Sequence, residues 1–321
     1  MRVLLLGAGG YIGRRVADRL LMDRDLQVTV LGRRDSADIR FDLAAGSPGA
    51  LARFLDAVMP QVVINCAGAT YGTSRTLVRA NVLAVATVCE AIRRSHEPAR
   101  LVHIGSAAEY GVVPCGAPIS ESAEPRPVGP YGVSKLAGTE LVLSSGLDAA
   151  VLRVFDVVGP GTPAASLFGR LAEGLRRALE QQEGQVRMPD LSGFRDFVDV
   201  RDVAQAVRAA AVSAATGVIN IGTGHAVQAR EAAELLIRAS GFEGALSEEI
   251  RTVLLPAQVA AEPGPVTAPP PPAAVESRPV IEPVPWRQAD VRTARERLGW
   301  RAQTPLEESL GDVWLETACR V

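Results

Sequence analysis

Lysine is almost absent from this chain. Of 34 basic side chains only Lys135 is a lysine, so wherever a cation was merely needed the sequence uses arginine. A lone lysine points to a task that needs a compact ammonium rather than a planar guanidinium; the alternative is one surface lysine left over by composition. Cysteine and histidine are equally sparse. Cys66, Cys89, Cys115 and Cys319 show no paired spacing, and His96, His103 and His225 form no cluster, so no metal site is expected. The first apolar run, Val3 to Leu6, is too short for a signal peptide or a membrane span. The formal net charge is −2 and the arginines are scattered. That excludes a strong pull toward nucleic acid or an anionic membrane. A cytoplasmic protein that binds neither is expected.

What is present is an ordinary globular balance, 47% hydrophobic and 22% charged residues. Residues 2–7 read as a buried strand and 12–22 as a helix. Strands at 27–31, 61–66, 101–105 and 149–155 alternate with helices at 51–58, 81–94 and 130–143. Strands alternating with helices imply βαβ units and a doubly wound parallel sheet, an α/β Rossmann-type fold. After Phe155 the pattern changes. Helices are expected at 165–182, 229–240, 290–298 and 306–317, and 198–211 and 217–221 look like a return to the sheet. Residues 255–285 are proline-rich, with four prolines in a row at 269–272, and exclude helix or central strand. The expected organisation is a dinucleotide-binding domain over 1–155, with 197–221 returning to it. A smaller C-terminal α/β substrate lobe would comprise 156–196 and 222–321, carrying the proline-rich loop.

The first strand runs into Gly7-Ala8-Gly9-Gly10-Tyr11-Ile12-Gly13. Gly7 permits a tight turn, Gly10 lets backbone approach a pyrophosphate, and Gly13 lets the helix pack on the strand. The helix N-terminus then faces the phosphates. An acid at the end of the second strand would hold a ribose 2′-hydroxyl and select NAD. This chain has Arg33 and Arg34 there, which suit a 2′-phosphate and hence NADP(H); solvated surface arginines are the alternative, and Asp35 keeps NAD open. Asp42 and Leu43 follow the next short strand, where a side chain could meet adenine.

Tyr131 and Lys135 form a YxxxK spacing, which on a helix puts phenol and ammonium on one face. A tyrosine ordinarily titrates near 10. A neighbouring ammonium stabilises the phenolate and lowers that value; reaching neutrality takes about 4 kcal/mol. Ser106, just past a strand end, offers a hydroxyl to polarise a carbonyl. Thr70 and Tyr71 follow the fourth strand, where loops approach ligand in such sheets. Tyr110 belongs either near the nicotinamide or in the core. Trp286, Trp300 and Trp314 are expected to pack the C-terminal lobe, and Met22, Met59 and Met188 to fill core or lobe.

The segments GAGGYIG at 7–13, NCAG at 65–68, Asn81, GSAAEYG at 105–111, PYGVSK at 130–135, LRVFDVVGPG at 152–161, RDFVDVRD at 195–202 and INIGTG at 219–224 span nearly the whole chain. Through them it resembles the extended short-chain dehydrogenases that act on nucleotide sugars. It looks most like reductases of the GDP-4-keto-6-deoxymannose type. The resemblance implies Ser106, Tyr131 and Lys135 as catalytic residues, with Ala67 and Gly68 beside the cofactor. It implies Arg195 as a ligand of the sugar-nucleotide phosphates and Arg278 as a second candidate. It makes Asn81 a structural residue below the active site. It also implies a homodimer formed by the YxxxK helix and the helix after Asn81, whose Val82, Val85, Ala86 and Cys89 suit close packing. Ala107 and Ala108 stand where dehydratases of the family carry an acid and a base, which disfavours water elimination. Asp156 stands where the family usually has asparagine. Beside a pyrophosphate its charge would repel, so a sugar hydroxyl or a backbone N–H is the expected partner. The function expected is NADPH-dependent reduction of an NDP-4-keto-6-deoxyhexose, with an NAD-dependent 4-epimerase as the alternative and a non-catalytic NADP-binding scaffold behind it.

Overall fold

The computed structural model describes residues 1–35, 37–249 and 285–320. The main sheet is built in chain order from β1 (Arg2–Leu6), α1 (Tyr11–Leu21), β2 (Gln27–Gly32), β3 (Ile39–Arg40), α2 (Pro48–Val58), β4 (Val62–Asn65), α3 (Ser74–Val78), α4 (Ala84–Arg94), β5 (Arg100–Ser106), α5 (Gly129–Leu143) and β6 (Ala149–Val154). Residues Arg79–Leu83 join α3 to α4 as a π-helical turn. Beyond β6 come β7 (Asp156–Val158), α6 (Leu167–Gln181), β8 (Gln185–Pro189), β9 (Phe194–Arg195), β10 (Phe197–Asp199), α7 (Val200–Val212) and β11 (Gly217–Ile221). The chain ends with β12 (Val227–Gln228), α8 (Ala229–Ser240), β13 (Ala245–Glu249), β14 (Trp286–Arg287), α9 (Arg292–Leu298) and α10 (Leu306–Ala318).

Seven parallel strands lie in the order β11-β6-β5-β4-β1-β2-β3. The order reverses between β1 and β4, so a crevice opens there beyond the strands' C-terminal ends. Strand geometry sends alternate residues to opposite faces, and both faces are covered. Val3 and Leu5 pack with Val16 and Leu20 of α1 and Val203 and Val207 of α7. Leu4 and Leu6 pack with Leu51 and Leu55 of α2 and Val85 and Ile92 of α4. A separate lobe core joins Phe168 and Leu171 of α6, Met188 of β8, Leu236 of α8 and Leu310 of α10. Small sheets edge this lobe: β10-β7, β12-β9-β14 and β13-β8.

Several expectations need correction. Residues 198–211 do not rejoin the main sheet. Only Phe197–Asp199 is strand, paired with β7, and the rest is helix α7. Asp199 caps that helix by accepting from Arg201 N at 2.7 Å, and Val203, Ala206, Val207 and Ala210 repeat at helical spacing along its buried side. Trp300 packs in the main-sheet core, its Nε1–H donating to Asp202 O at 3.0 Å, rather than in the C-terminal lobe. Met22 and Met59 are exposed, and of the three only Met188 is buried. Val85 and Cys89 are buried within this chain's own core and are not free to meet a partner. The large apolar side chains that do stay exposed around these helices are Val78, Leu83, Val128, Val133 and Leu143. Arg278 and all of the 255–285 stretch except Pro285 lie outside the described residues. Among the described residues no helix is long and apolar enough to cross a membrane.

Candidate active site

The glycine turn is set by close approach. Gly7 sits at φ +81°, and a Cβ there would lie 2.5 Å from Ala67 N. A Cβ on Gly13 would lie 2.1 Å from Gly7 O. Gly10 N donates back to Gly7 O at 3.0 Å, no side chain caps the start of α1, and its first residues Tyr11 and Ile12 line the crevice together with Gly10. This is a cradle for a dinucleotide pyrophosphate. Tyr11 ties the cradle to the second lobe: its hydroxyl lies 3.1 Å from Thr162 Oγ1 and donates to Gly159 O at 3.3 Å.

Arg33 and Arg34 lie exposed just beyond β2 and make no ion pair among the described residues. The Arg34 guanidinium lies over the turn, its Nε 3.5 Å from where a Cβ on Gly9 would be. Asp35 is held by Arg40 at 2.9 Å. Arg33, Arg34, Asp42 and Leu43 all lie outside the lining of the cleft that holds Ser106 and Tyr131. Asp42 closes its own turn by accepting from Ala44 N at 2.9 Å, and Leu43 is buried in the core.

Beyond the cradle a cleft of about 480 Å³ brings Ala67, Gly68, Thr70, Ser106, Tyr131, Lys135, Asp156 and Arg195 together. Asn81 braces its wall from below. Its side chain takes Ala69 N at 2.8 Å and gives to Ala69 O at 2.8 Å and Ser134 Oγ at 2.9 Å, joining the β4 loop to α5. Ser106 Oγ accepts from Ala108 N at 3.2 Å, which leaves its proton free to donate. Tyr110 is core: its hydroxyl donates to Asn220 Oδ1 at 2.7 Å. Cys66 also lines the cleft, and burial pushes its thiol up to about 12, so it stays protonated.

The spacing of Tyr131 and Lys135 suggested a phenol with a lowered pKa, and the geometry corrects this. Lys135 is buried and its ammonium donates to Ile104 O at 2.5 Å, toward the sheet. Burial pulls Lys135 below its ordinary value, against the attraction of Glu109. Burial pushes the Tyr131 phenol above its ordinary value, and the carboxylates of Glu109 and Asp156 add to this; the hydroxyls of Ser106 and Thr70 oppose it. Tyr131 therefore holds its proton and is arranged to give it, with Ser106 beside it.

Four residues matter here that the sequence did not single out: Glu109, Arg153, Arg287 and Asp196. Glu109 is fully buried and does not line the cleft; it accepts from Ser106 N at 2.8 Å and from Arg153 Nε at 2.7 Å, fixing the loop that carries Ser106. The only local signal is an acid and an arginine in otherwise apolar surroundings. β14 pairs parallel with β9, and Arg287 stands opposite Arg195. Residues paired at one register point to the same face, so both guanidiniums reach the cleft. Asp196, fully buried, clamps this strand pair: it accepts from Thr223 N at 2.7 Å, Gly224 N at 2.9 Å and Ala289 N at 3.0 Å. Among the described residues the Asp156 carboxylate accepts from no backbone N–H. Its Oδ1 accepts from Arg195 Nη1 at 3.0 Å, and its Oδ2 lies 3.7 Å from Arg287 Nη1.

Comparison with known proteins agrees with this layout. The profile of the NAD dependent epimerase/dehydratase family matches residues 3–222. A dTDP-6-deoxy-L-talose 4-dehydrogenase (NAD(P)(+)) of Kitasatospora kifunensis is 36% identical over 98% of this chain and 94% of its own length. Among solved structures, RMD from Pseudomonas aeruginosa complexed with NADPH superposes with a TM-score of 0.80 at 22% identity, covering 100% of this chain and 99% of that one, a likeness of fold. MoeE5 in complex with UDP-glucose and NAD superposes with a TM-score of 0.77 at 28% identity, over 99% of this chain and 98% of that one.

Proposed function

The chain is an enzyme that belongs to the NAD-dependent epimerase/dehydratase family, and on that premise we propose that it reduces the 4-keto group of an NDP-4-keto-6-deoxyhexose with NADPH. One observation carries the reading: the paired arginines Arg195 and Arg287 face the same cleft as Ser106 and Tyr131. Two guanidiniums in register suit a diphosphate, and the sugar it carries is thereby presented to the serine and the phenol.

The turn at Gly7, Gly10 and Gly13 fits a dinucleotide, because the missing side chains at Gly7 and Gly13 let it close against Ala67 and against Gly7 O and so set the start of α1 at the crevice. Tyr11, Ile12, Ala67 and Gly68 would flank that dinucleotide, and Arg33 and Arg34 would hold the 2′-phosphate. When bound, the nicotinamide supplies hydride to the sugar carbonyl. Ser106 donates to the carbonyl oxygen and holds the forming alkoxide. Tyr131 gives it a proton, a role suited to a phenol that keeps its proton at neutral pH. Lys135 fixes α5 against the sheet through Ile104 O. Glu109, the acid nearest Ser106 in the chain, does not line the cleft and is bound to Arg153, so it is not placed to drive elimination.

The test is NADPH oxidation by the purified protein against a panel of NDP-4-keto-6-deoxyhexoses. Turnover on one of them that is lost in Tyr131→Phe is expected. Tightly bound NAD in the purified protein, with interconversion of 4-epimers and no net NADPH oxidation, would replace this reading with an epimerase.

A further inference from the structure

Asp156 is the one carboxylate between the two arginines that face the cleft, and it engages both. Its Oδ1 accepts from Arg195 Nη1 at 3.0 Å, while its Oδ2 lies 3.7 Å from Arg287 Nη1. Oδ2 is buried and accepts no hydrogen bond from the described residues. The position is fixed by backbone: β7 pairs with β10, with Asp156 opposite Phe197, and Asp156 N donates to Asp196 O at 3.0 Å. The backbone is thereby fixed, and a carboxylate turned away from the arginines would give up its hydrogen bond from Arg195.

We propose that Asp156 is a built-in competitor for the diphosphate, weakening the hold of the cleft on the nucleoside diphosphate moiety so that the NDP-sugar product leaves readily. The proposal rests on the reading of Arg195 and Arg287 as the diphosphate ligands. Two guanidiniums and one carboxylate leave a single net positive charge facing two negative charges on the diphosphate of an NDP-sugar, and about three on a free nucleoside diphosphate at neutral pH. The complex therefore keeps an uncompensated anion that a neutral side chain at this position would remove.

Two effects of opposite sign compete. By holding both guanidiniums, Asp156 pre-orders them. The arginine side chains are 35% and 31% exposed, and partly exposed pairs of this kind are worth at most about fivefold in an equilibrium. Repulsion between the carboxylate and a phosphate held by the same arginines acts at close range in a partly buried cleft. At an effective dielectric of about 20 it amounts to about tenfold or more. Repulsion therefore outweighs pre-ordering, and the net effect is weaker binding.

The experiment is calorimetric titration of the purified protein with dTDP, UDP and GDP, comparing the wild type with Asp156→Asn and Arg287→Gln. Asp156→Ser is included in case the first variant melts early. Asp156→Asn should bind the preferred diphosphate about tenfold more tightly, while its affinity for NADPH stays within twofold of the wild type. Arg287→Gln should bind it at least tenfold more weakly. If Arg287→Gln weakens binding but both Asp156 variants bind as the wild type does or more weakly, the inference is overturned and the diphosphate reading stands. If Arg287→Gln leaves the affinity unchanged, the arginine reading and the inference built on it both fall.

Discussion

Replacing Lys135 with arginine keeps the charge and changes only its shape, which separates a chemical role from a compositional accident. Lys135 is 7% exposed, and its ammonium is committed to Ile104 O at 2.5 Å. A guanidinium is larger and planar, and cannot occupy the same space without moving the β5 carbonyl or α5. Overpacking of this kind costs about 1–3 kcal/mol. For a chain of this size that is a fall in melting temperature of roughly 2–10 °C, so the variant still folds. The catalytic loss should be larger. Displacement of α5 shifts Tyr131, and detuning a positioned acid–base group costs roughly 100- to 10,000-fold in turnover. The assay is NADPH oxidation on the substrate identified from the panel, with circular dichroism melts run beside it. Tyr131→Phe should lose at least as much turnover while melting close to the wild type. A Lys135→Arg enzyme with near-wild-type turnover would refute the mechanism and leave the single lysine as an accident of composition.

Three further outcomes are expected. The wild type should bind NADPH more tightly than NADH in fluorescence titration, and Arg33→Ala with Arg34→Ala should erase the preference; tighter binding of NADH by the wild type would overturn the role of this pair. In the cofactor-free protein, spectrophotometric titration of wild type against Tyr131→Phe should place Tyr131 above the ordinary value near 10, because burial and the carboxylates of Glu109 and Asp156 disfavour the phenolate. A phenol ionising near neutrality would contradict that. Light scattering at micromolar concentration should give a homodimer, and Leu83→Glu with Val133→Glu should shift it toward monomer, since these exposed apolar side chains remain where Val85 and Cys89 are buried; a wild-type monomer would sink the expectation.

Much of the fold is legible in the chain because the features that carry it are local. The strand, glycine turn and helix at 2–21 follow one another without a break, so Gly7, Gly10 and Gly13 could be assigned from order alone. The alternation of strands and helices up to Phe155 fixes a parallel sheet because only crossover connections join such strands. Tyr131 and Lys135 share one helix. The 198–211 segment misled because a short apolar run looks the same in a strand as in a buried helix. Asp199 as a cap and the packing of α7 against α1 decide between them.

What only the tertiary structure decided involves partners far apart in the chain. YxxxK spacing cannot show that the ammonium turns to Ile104 O, because that carbonyl belongs to another element. Glu109 and Arg153 each read as an isolated charge until β5 and β6 lie side by side. Arg287 follows a long proline-rich stretch, and nothing local assigns it to the cleft; the β14–β9 register does, by setting it opposite Arg195. Asp156 then acquires its partners, and its charge acquires a consequence. Spacing along a chain fixes which side chains share a helix face or a turn, whereas contacts between separate strands are fixed by pairing register, and register is set by the packing of the whole sheet.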